Sequence, residues 1–437
     1  MKNIKDKAKE VQNASMLMAT LSSDDKNNGL KAIAKALDIE REKLKQENSR
    51  DIELAKKQKI GEALLKRLVF DDEKINQLIA GINELAAMDD PIGLTLKSTE
   101  LDTGLELFCQ SCPIGVIGVI FEARPDALVQ ISCLCLKSSN SVILKGGKEA
   151  ASTNKALFDL IRRSTESYSV PRGWIQLLET RDDVKKMLAM DEYIDLIIPR
   201  GSNKFVRYVM DNTRIPVLGH ADGICHVYVD DEADLDMAVK VCYDSKCQYA
   251  AVCNAMETLL VHTKIASEFL DKLKDVLGVC NVKLLGDDKT RKILSIPQAG
   301  EKDWSTEYND LMLSIKVVED IDEAIMHINR YGSRHTDVIV TKTRAKARKF
   351  MLRVDSANVF WNCSTRFSDG YRYGLGAEVG ISTSKIHARG PVGLEGLAIY
   401  KWKLIGNGHI VADYAGEQPK KKFTHKQLSK NFPLEEE

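Results

Sequence analysis

Among the ten cysteines of the sequence, Cys253 has surroundings that could support covalent chemistry. It lies in the small-residue run 250–255, AAVCNA, between a predicted helix and a predicted strand. A thiolate attacks carbonyl carbon well if the approach is open and nearby N–H groups can hold the negative charge that develops on oxygen. This pattern predicts Cys253 as a nucleophile with Asn254 beside it. An ordinary loop cysteine is the alternative.

A glycine-rich turn at residues 145–148, KGGK, could bind phosphate. It follows a predicted strand and precedes a predicted helix. Its two glycines would let the backbone approach an anion, and its two lysines would suit the additional 2′-phosphate of NADP. A solvated loop is the alternative, and no G-x-G-x-x-G motif follows the first predicted strand.

A second turn of this kind contains Gly201 and Ser202. Exposed N–H groups at the start of the following helix could contact a pyrophosphate. A simple helix cap by Ser202 or Asn203 is the alternative.

The elements that must position these turns alternate between strand and helix. Short apolar runs predict buried parallel strands at 114–121, 141–145, 174–179, 193–199 and 215–218. A second alternating series predicts strands at 225–230, 257–262, 337–342 and 357–362. Residues 1–90 show the 3.6-residue period of amphipathic helices. The sequence therefore predicts a doubly wound α/β fold preceded by helices.

The composition excludes several classes of protein. The chain has 437 residues, 63 basic and 63 acidic, so it lacks the excess positive charge of a nucleic-acid or membrane-surface binder. It shows no signal sequence and no run of about 18 apolar residues. The ten cysteines lack the paired spacing of a zinc site and indicate reduced thiols. We expect a cytoplasmic protein of two or three domains without a metal, nucleic acid or membrane partner.

Seven long motifs, in order from about residue 113 to 397, resemble the gamma-glutamyl phosphate reductase family of the aldehyde dehydrogenase superfamily. They are PIGVIGVIFEARPD, LKGGKEA, ADGICHVYVDDEADLD, VCNAMETLLVH, GSRHTDVIVT, FSDGYRYGLGAEVGIS and HARGPVGLEGL. The resemblance implies an aldehyde-dehydrogenase-like α/β fold with a Rossmann-type cofactor domain, an α/β catalytic domain and a small oligomerisation element. It implies reduction of L-glutamyl 5-phosphate by NADPH to L-glutamate 5-semialdehyde and phosphate, the second step of proline biosynthesis, through a cysteine thioester.

The same resemblance implies roles for individual residues. Cys253 takes the place of the nucleophile, and N–H groups of Cys253 or Asn254 are candidates for the oxyanion hole. The implied cofactor residues are Lys145, Gly146, Gly147, Lys148, Gly201, Ser202 and Glu307. The implied substrate residues are Arg124, His335, Thr336, Asp337 and Glu378. For the last four, turn chemistry and strand starts are the alternative.

Domains and partners follow from the resemblance as expectations. Residues 1–100 and 113–230 would form the NADP-binding domain, 231–365 the catalytic domain, and 101–112 with 385–437 the oligomerisation strands and C-terminal tail. We expect a homo-oligomer, with a glutamate 5-kinase as a candidate partner. From about residue 419 the charged sequence predicts a surface tail or an oligomer arm.

Two positions depart from the wider superfamily. Gly219 occupies the position of the glutamate base in hydrolytic aldehyde dehydrogenases, and the loss of that base suits an enzyme whose thioester must not meet water. Arg124 replaces the asparagine that contacts the substrate carbonyl, and its guanidinium could bind the acyl phosphate. A mere loop substitution and a structural arginine are the alternatives.

Two other functions fit the same motifs. One is an acylating aldehyde dehydrogenase that uses coenzyme A or a longer acyl phosphate. The other is a catalytically silent homologue that scaffolds a glutamate kinase. Intact Cys253, Lys145 and Gly201-Ser202 count against the silent homologue, and His226 is predicted to be a core histidine rather than a catalyst.

Overall fold

The computed structural model describes residues 3–122, 124–180, 182–376 and 378–433. The chain divides into two compact units. Unit 1 comprises Met1–Gly201, Val209–Val217 and Gly393–Glu437, and unit 2 comprises Ser202–Tyr208 and Leu218–Val392. The predicted division into cofactor, catalytic and oligomerisation domains stays a prediction.

The predicted N-terminal helices of unit 1 are confirmed. They are α1 (Ile4–Met18), α2 (Ser23–Ile39), α3 (Arg41–Lys57), α4 (Glu62–Leu68) and α5 (Asp72–Ala87). The side chains of Asn3, Ser22 and Asp71 cap α1, α2 and α5 by accepting from the N–H group three residues further on. Apolar residues three and four apart form most of the buried face of α1, α2 and α5, as the period predicts, whereas α3 also buries Asn48 and Asp51.

Two antiparallel strands, β1 (Thr95–Asp102) and β2 (Leu105–Pro113), precede the parallel sheet of unit 1. The alternating elements that follow are β3 (Val116–Phe121), α6 (Pro125–Lys137), β4 (Ser141–Lys145), α7 (Ala151–Glu166), β5 (Ile175–Leu178), α8 (Asp182–Leu188), β6 (Leu196–Arg200) and α9 (Asn203–Asp211). The four strands β5-β4-β3-β6 are all parallel. The predicted strand at 215–218 is wrong. Val217 forms only an isolated bridge with Ile197, because Pro216 has no N–H to donate to a ladder.

Unit 2 contains a six-stranded parallel sheet in the order β12-β11-β7-β8-β10-β9. Its elements are β7 (Cys225–Val229), α10 (Leu235–Cys247), β8 (Met256–His262), α11 (Ala266–Val279), β9 (Lys283–Gly286), α12 (Asp288–Ile293), β10 (Met312–Val318), α13 (Ile321–Tyr331), β11 (Thr336–Val340), α14 (Arg344–Arg353) and β12 (Asn358–Trp361). A small antiparallel pair follows, β13 (Gly380–Ser382) and β14 (Gly390–Val392). The central strands β7 and β8 are completely buried, which explains their apolar runs 227–229 and 259–261, and the polar His226 and Glu257 are buried with them.

The C-terminal segment returns to unit 1. It forms β15 (Ala398–Ile405) and β16 (Lys426–Leu428), which complete an antiparallel sheet in the order β15-β2-β1-β16. Residues 426–432 lie along the surface of unit 1 and are held there, because β16 pairs with β1 and the buried Phe432 ring lies 5.5 Å from that of Phe108. The oligomerisation role of these strands stays a prediction. Across the described ranges, no helix has both the length and the apolar character of a membrane span.

Candidate active site

Cys253 lies in the loop between α10 and β8 and is half-buried. Its carbonyl oxygen accepts from the Cys225 thiol at 3.2 Å. The buried side chain of Asn254 donates from Nδ2 to the Ser368 carbonyl at 2.7 Å. These two contacts hold the loop at Cys253 and at the residue after it, and the oxyanion-hole roles of Cys253 and Asn254 stay predictions.

Gly223, which the sequence analysis did not single out, lies directly against this loop. A Cβ atom there would stand 2.2 Å from the Cys253 carbonyl oxygen and 2.4 Å from its Cα. Atoms at such distances overlap, so any larger residue at 223 must displace the backbone of Cys253. The Asp-Gly pair at 222–223 resembles an ordinary turn, and no signal in the sequence shows what it contacts.

Two histidines lie beside the nucleophile. A ring nitrogen of His220, a ring nitrogen of His335 and Sγ of Cys253 all lie within 4.8 Å of one another. The two rings meet edge to face at 5.0 Å between centroids. Burial lowers the pKa of His335 well below its ordinary value, and the nearby His220 contributes in the same direction. His335 is therefore a neutral imidazole at physiological pH.

The side chains that follow His335 bond to protein groups. Thr336 Oγ1 lies 2.8 Å from His335 Nδ1. Asp337 Oδ1 accepts from the N–H and Nδ1 of His226 at 2.9 and 2.8 Å, and Oδ2 accepts from Ser356. His226 is completely buried, as expected of a core histidine. Because both Asp337 oxygens accept from protein donors, its surroundings favour a positioning role, and the predicted substrate contacts of all three residues stay predictions.

Arg366 is a buried cation near the nucleophile that the sequence analysis missed. Its Nε donates to Gln248 Oε1 at 2.9 Å. Burial lowers the pKa of Arg366, the neighbouring Arg372 lowers it further, and the negative charge of an ionised Cys253 opposes that fall. The Arg366 guanidinium is a buried cation in the same unit that can attract an anion.

Glu378 closes the loop that carries the predicted substrate residues near 374–378. Its Oε2 accepts from the N–H of Gly370 at 2.8 Å. This bond joins the two ends of the segment FSDGYRYGLGAE, whose Ser368 carbonyl also receives the Asn254 amide. A contact between Glu378 and the amino group of a substrate stays a prediction.

The reactive residues of unit 2 gather at the amino ends of adjacent parallel strands. Cys253 precedes β8, Cys225 begins β7 and His335 precedes β11, and β7 lies between the other two strands. Residues separated by more than 100 positions therefore meet at one sheet edge, as the 3.7 Å contact between Cys225 Sγ and His335 Nδ1 shows.

Unit 1 places its predicted site residues at the opposite, carboxyl ends of strands. Arg124 follows β3, the 145–148 turn includes the last residue of β4, and Gly201 follows β6. These strands are neighbours in the order β4-β3-β6. The chain adds β4 and β5 on one side of β3 and then β6 on its other side, so the order reverses at β3. Such an edge is where doubly wound sheets bind their ligands. Arg124 is exposed, with its guanidinium 3.5 Å from Asp126 Oδ2.

The backbone of the 145–148 turn has little room for side chains. A Cβ on Gly146 would lie 2.2 Å from the buried amide nitrogen of Asn154 and 3.1 Å from the Phe121 ring. Lys145 is buried and donates to the Gly146 carbonyl, whereas Lys148 is exposed. The Glu149 carboxylate lies over Gly147, where a Cβ would stand 2.0 Å from its Oε1. The turn therefore has the exposed cation of Lys148 with a carboxylate beside it.

Two further predicted cofactor residues, Ser202 and Glu307, lie at the start of α9 and beside it. The Ser202 carbonyl accepts from the Val206 N–H at 3.0 Å, so Ser202 occupies the cap position. Asn203 donates from Nδ2 to a carboxylate oxygen of Glu307 and to Asp222 Oδ1 at 3.3 Å. Glu307 therefore lies beside the first residue of α9, although 104 positions separate it from Asn203.

Residues 2–292 match the sequence profile described as the Aldehyde dehydrogenase family. A gamma-glutamyl phosphate reductase of Acetivibrio thermocellus is 59% identical over 432 residues, 99% of this chain and 100% of the relative. The chain belongs to the gamma-glutamyl phosphate reductases of the aldehyde dehydrogenase family. A second such reductase, from Pelotomaculum thermopropionicum, is 59% identical over 98% of both chains. The crystal structure of a gamma-glutamyl phosphate reductase from Thermotoga maritima shares 39% identity and a TM-score of 0.91, over 94% of this chain and 100% of that one.

Membership of this family confirms the predicted fold class and makes the chain an oxidoreductase that uses a nicotinamide cofactor. The residues in unit 1 fit such a dinucleotide. Gly146 leaves no room for a side chain, the turn follows a parallel strand, and the exposed cation of Lys148 can meet an anion. The contacts of each residue with the cofactor stay predictions.

Proposed function

We propose that this chain reduces L-glutamyl 5-phosphate to L-glutamate 5-semialdehyde and phosphate with NADPH, through a thioester on Cys253. The observation that carries this assignment is the setting of Cys253. Its thiol is half-buried in a fixed loop beside a neutral His335 and the buried cation of Arg366. Such a setting leaves the sulfur accessible to a small substrate.

The thioester forms by substitution at the acyl carbon. The Cys253 thiolate attacks that carbon, N–H groups at the Cys253–Asn254 backbone hold the developing oxyanion, and the C–O bond to phosphate breaks. A nicotinamide cofactor, when bound, would supply the hydride for reduction of the thioester carbon. The C–S bond then breaks, the aldehyde leaves and Cys253 returns to its thiolate form.

The thioester must survive until it is reduced, and the segment before β7 suits this requirement. Gly219 offers no side chain that could take a proton from water, and its carbonyl accepts from the Thr383 N–H at 3.4 Å. A carboxylate at this position would act as a general base for hydrolysis. The proposed acceptors of the acyl group are therefore phosphate and hydride.

A preference for NADPH is the part of the proposal that rests on the 145–148 turn. Lys148 is exposed directly after the two glycines, where a cation can pair with a 2′-phosphate. An acidic residue that binds the free 2′-hydroxyl of NADH would have the opposite effect. The charge at this position supports NADPH over NADH.

The reaction can be tested in reverse, with the semialdehyde, phosphate and NADP as substrates and NADPH absorbance as the readout. We expect turnover that depends on phosphate and is faster with NADP than with NAD. Turnover that required coenzyme A instead of phosphate would contradict the proposed substrate, whereas preference for NAD would contradict only the cofactor.

Cys253→Ser should lose at least about a thousandfold in kcat, because a hydroxyl without a strong base is a poor nucleophile. Cys280→Ser, which alters a thiol bonded to Tyr243 at 3.3 Å, is the matched control.

Arg124→Ala tests the predicted contact with the acyl phosphate. Because the Arg124 side chain is half exposed and its one ion pair is with Asp126, we expect a loss of less than about 1 kcal/mol in the free energy of unfolding. We expect kcat/KM for glutamyl phosphate to fall at least about a hundredfold, since a charged contact to the substrate is lost. A thermal melt beside the kinetic assay separates the two effects. A loss of stability without a comparable loss of rate would leave Arg124 a structural residue.

A further inference from the structure

The three side chains around the nucleophile have the composition of a zinc site. Sγ of Cys253 and one ring nitrogen each of His220 and His335 lie within 4.8 Å of one another. Thiolate and imidazole are ligands that zinc prefers, and three of them plus one water form a common tetrahedral set. We propose that His220, Cys253 and His335 bind one Zn²⁺ ion and that this ion reversibly inhibits the enzyme. The inhibition rests on the proposed function of Cys253, whereas the metal site does not.

The distances require only a small adjustment. Zinc bonds of about 2.0 Å to nitrogen and 2.3 Å to sulfur place tetrahedral ligand atoms roughly 3.3 to 3.6 Å apart. The three atoms therefore need to approach one another by little more than about 1 Å. His220 and Cys253 are only partly buried, so the ion can enter from their side, whereas His335 forms the buried floor.

The second ring nitrogens of both histidines have the contacts that metal-binding histidines need. His220 Nδ1 lies 2.9 Å from the Ile381 carbonyl oxygen, which can only accept, so Nδ1 carries the proton and the lone pair is at Nε2. His335 Nδ1 lies 2.8 Å from Thr336 Oγ1. Within the described ranges, the buried Nε2 of His335 has no hydrogen-bond partner. A metal ion would satisfy this otherwise unexplained buried atom.

The charges also suit a divalent ion. Zinc needs an unprotonated ring nitrogen from each imidazole, and the Nδ1 contacts of both histidines leave Nε2 for the metal. Binding replaces the thiol proton of Cys253 with the metal and releases that proton to solvent. The sulfur lone pair then belongs to the Zn–S bond, so Cys253 cannot attack the acyl carbon. Magnesium, which prefers oxygen ligands, should not bind here.

Cobalt(II) tests the site without reference to activity, because thiolate-to-cobalt charge transfer produces an absorption band. The full chain should bind one Co²⁺ with this band, and Zn²⁺ should displace it. The band should disappear in Cys253→Ser and remain in Cys280→Ser. A band that persisted in Cys253→Ser, or no band in the unaltered chain, would overturn the site. This result stands even if the reductase assay fails, so the two proposals can be judged separately.

Inhibition by Zn²⁺ tests the consequence. Micromolar Zn²⁺ should stop the phosphate-dependent assay, EDTA should restore it, and Mg²⁺ at the same concentration should have no effect. His220→Gln should raise the inhibitory concentration at least about tenfold, compared at the turnover that the variant retains. His425→Asn, which alters an exposed histidine of unit 1, should leave it unchanged. Equal inhibition of His220→Gln and the unaltered chain would contradict a three-ligand site. If His220→Gln unfolds at a lower temperature than the unaltered chain, the cobalt band of the isosteric Cys253→Ser variant tests the site instead. Loss of the band supports the site and its persistence contradicts it.

Discussion

At the residue scale, the position of Cys253 depends on a neighbour that has no reactive group. Gly223 lies so close to the backbone of Cys253 that any side chain at this position would overlap with it. Catalysis by a covalent nucleophile is sensitive to displacement, since a shift of about 1 Å can cost roughly a hundredfold in rate. The glycine therefore affects the reaction through the backbone of Cys253.

Gly223→Ala should lower kcat roughly a hundredfold, because its methyl group would stand 2.2 to 2.6 Å from backbone atoms of Cys253. We expect the free energy of unfolding to fall by about 1 to 3 kcal/mol, as for other overpacked sites. The reverse assay and urea unfolding measure the two effects.

Gly278→Ala is the matched control for this substitution. No atom lies within 4 Å of a Cβ at Gly278, in the last turn of α11. We expect unchanged kcat and a gain of about 0.5 to 1 kcal/mol in stability, the usual helical advantage of alanine. Equal kcat in the two variants would contradict the role of Gly223.

Single residues differ in how far the sequence reveals them. Cys253 could be predicted because its chemistry and its small neighbours are visible locally. Gly223, His220 and Arg366 could not, because their importance lies in contacts with residues far along the chain. Asp337 was visible in a motif, yet nothing in that motif indicates that His226 and Ser356 bind both of its oxygens.

At the scale of elements, the loop of Cys253 is fixed by the helix before it and the strand after it. Lys246 near the end of α10 and Glu257 at the start of β8 form an ion pair at 2.6 Å, and neither side chain is exposed. Burial raises the pKa of Glu257 to about 7, although the Lys246 ammonium opposes this rise. The pair joins the two elements on either side of the nucleophile.

Lys246→Met should destabilise the protein more at pH 8 than at pH 6. A carboxyl whose pKa is higher in the folded than in the unfolded chain stabilises the fold below its unfolded pKa, near 4.5, and loses that contribution as pH rises through about 7. Without the ammonium, the pKa of Glu257 rises further and the loss continues to higher pH. We expect about 3 to 5 kcal/mol at pH 8 by urea unfolding.

The double variant Lys246→Met/Glu257→Leu is the control for this prediction. It leaves no charge in the buried space, so most of the stability should return and the difference between pH 6 and pH 8 should shrink. A single variant that lost the same free energy at both values would show that Glu257 does not titrate in this range.

The elements themselves were largely predictable, because buried parallel strands have continuous apolar sequences. The ends at which function gathers were less so. Doubly wound sheets bind ligands at the carboxyl ends of their strands, and the predicted site residues of unit 1 lie at those ends. Unit 2 collects Cys253 and His335 at amino ends, which could have been inferred only from the fact that each precedes its strand.

At the scale of the whole molecule, the C-terminal segment is bound to residues near position 100. The ring of Phe432 packs against Phe108, and the Lys403 ammonium lies 4.0 Å from the Phe432 ring centroid. The Phe432 N–H donates to Thr95 Oγ1 at 3.0 Å. This aromatic anchor was not predictable from a charged sequence that resembles a free tail.

Phe432→Ala should lower the free energy of unfolding by about 3 kcal/mol, because it removes a buried aromatic ring. Phe423→Ala removes a ring that is 45% exposed and should cost less than half as much. Thermal melts combined with limited proteolysis of residues 415–433 measure both. Early cleavage of the two variants at equal rates would contradict the anchoring role of Phe432.

The pairing of β16 with β1 also bears on how the protein is made. Ser98 and Leu428, which face each other in this sheet, are 330 positions apart. At about 5 to 20 residues per second, a ribosome needs roughly 15 to 65 s to add that stretch. Until β16 has been made, the outer edge of β1 lacks its neighbouring strand, and the outer edge of β2 likewise lacks β15 until that strand has been made. Unpaired strand edges can form hydrogen bonds with other chains. We therefore expect the newly made chain to be most prone to such pairing before residues 426–428 emerge.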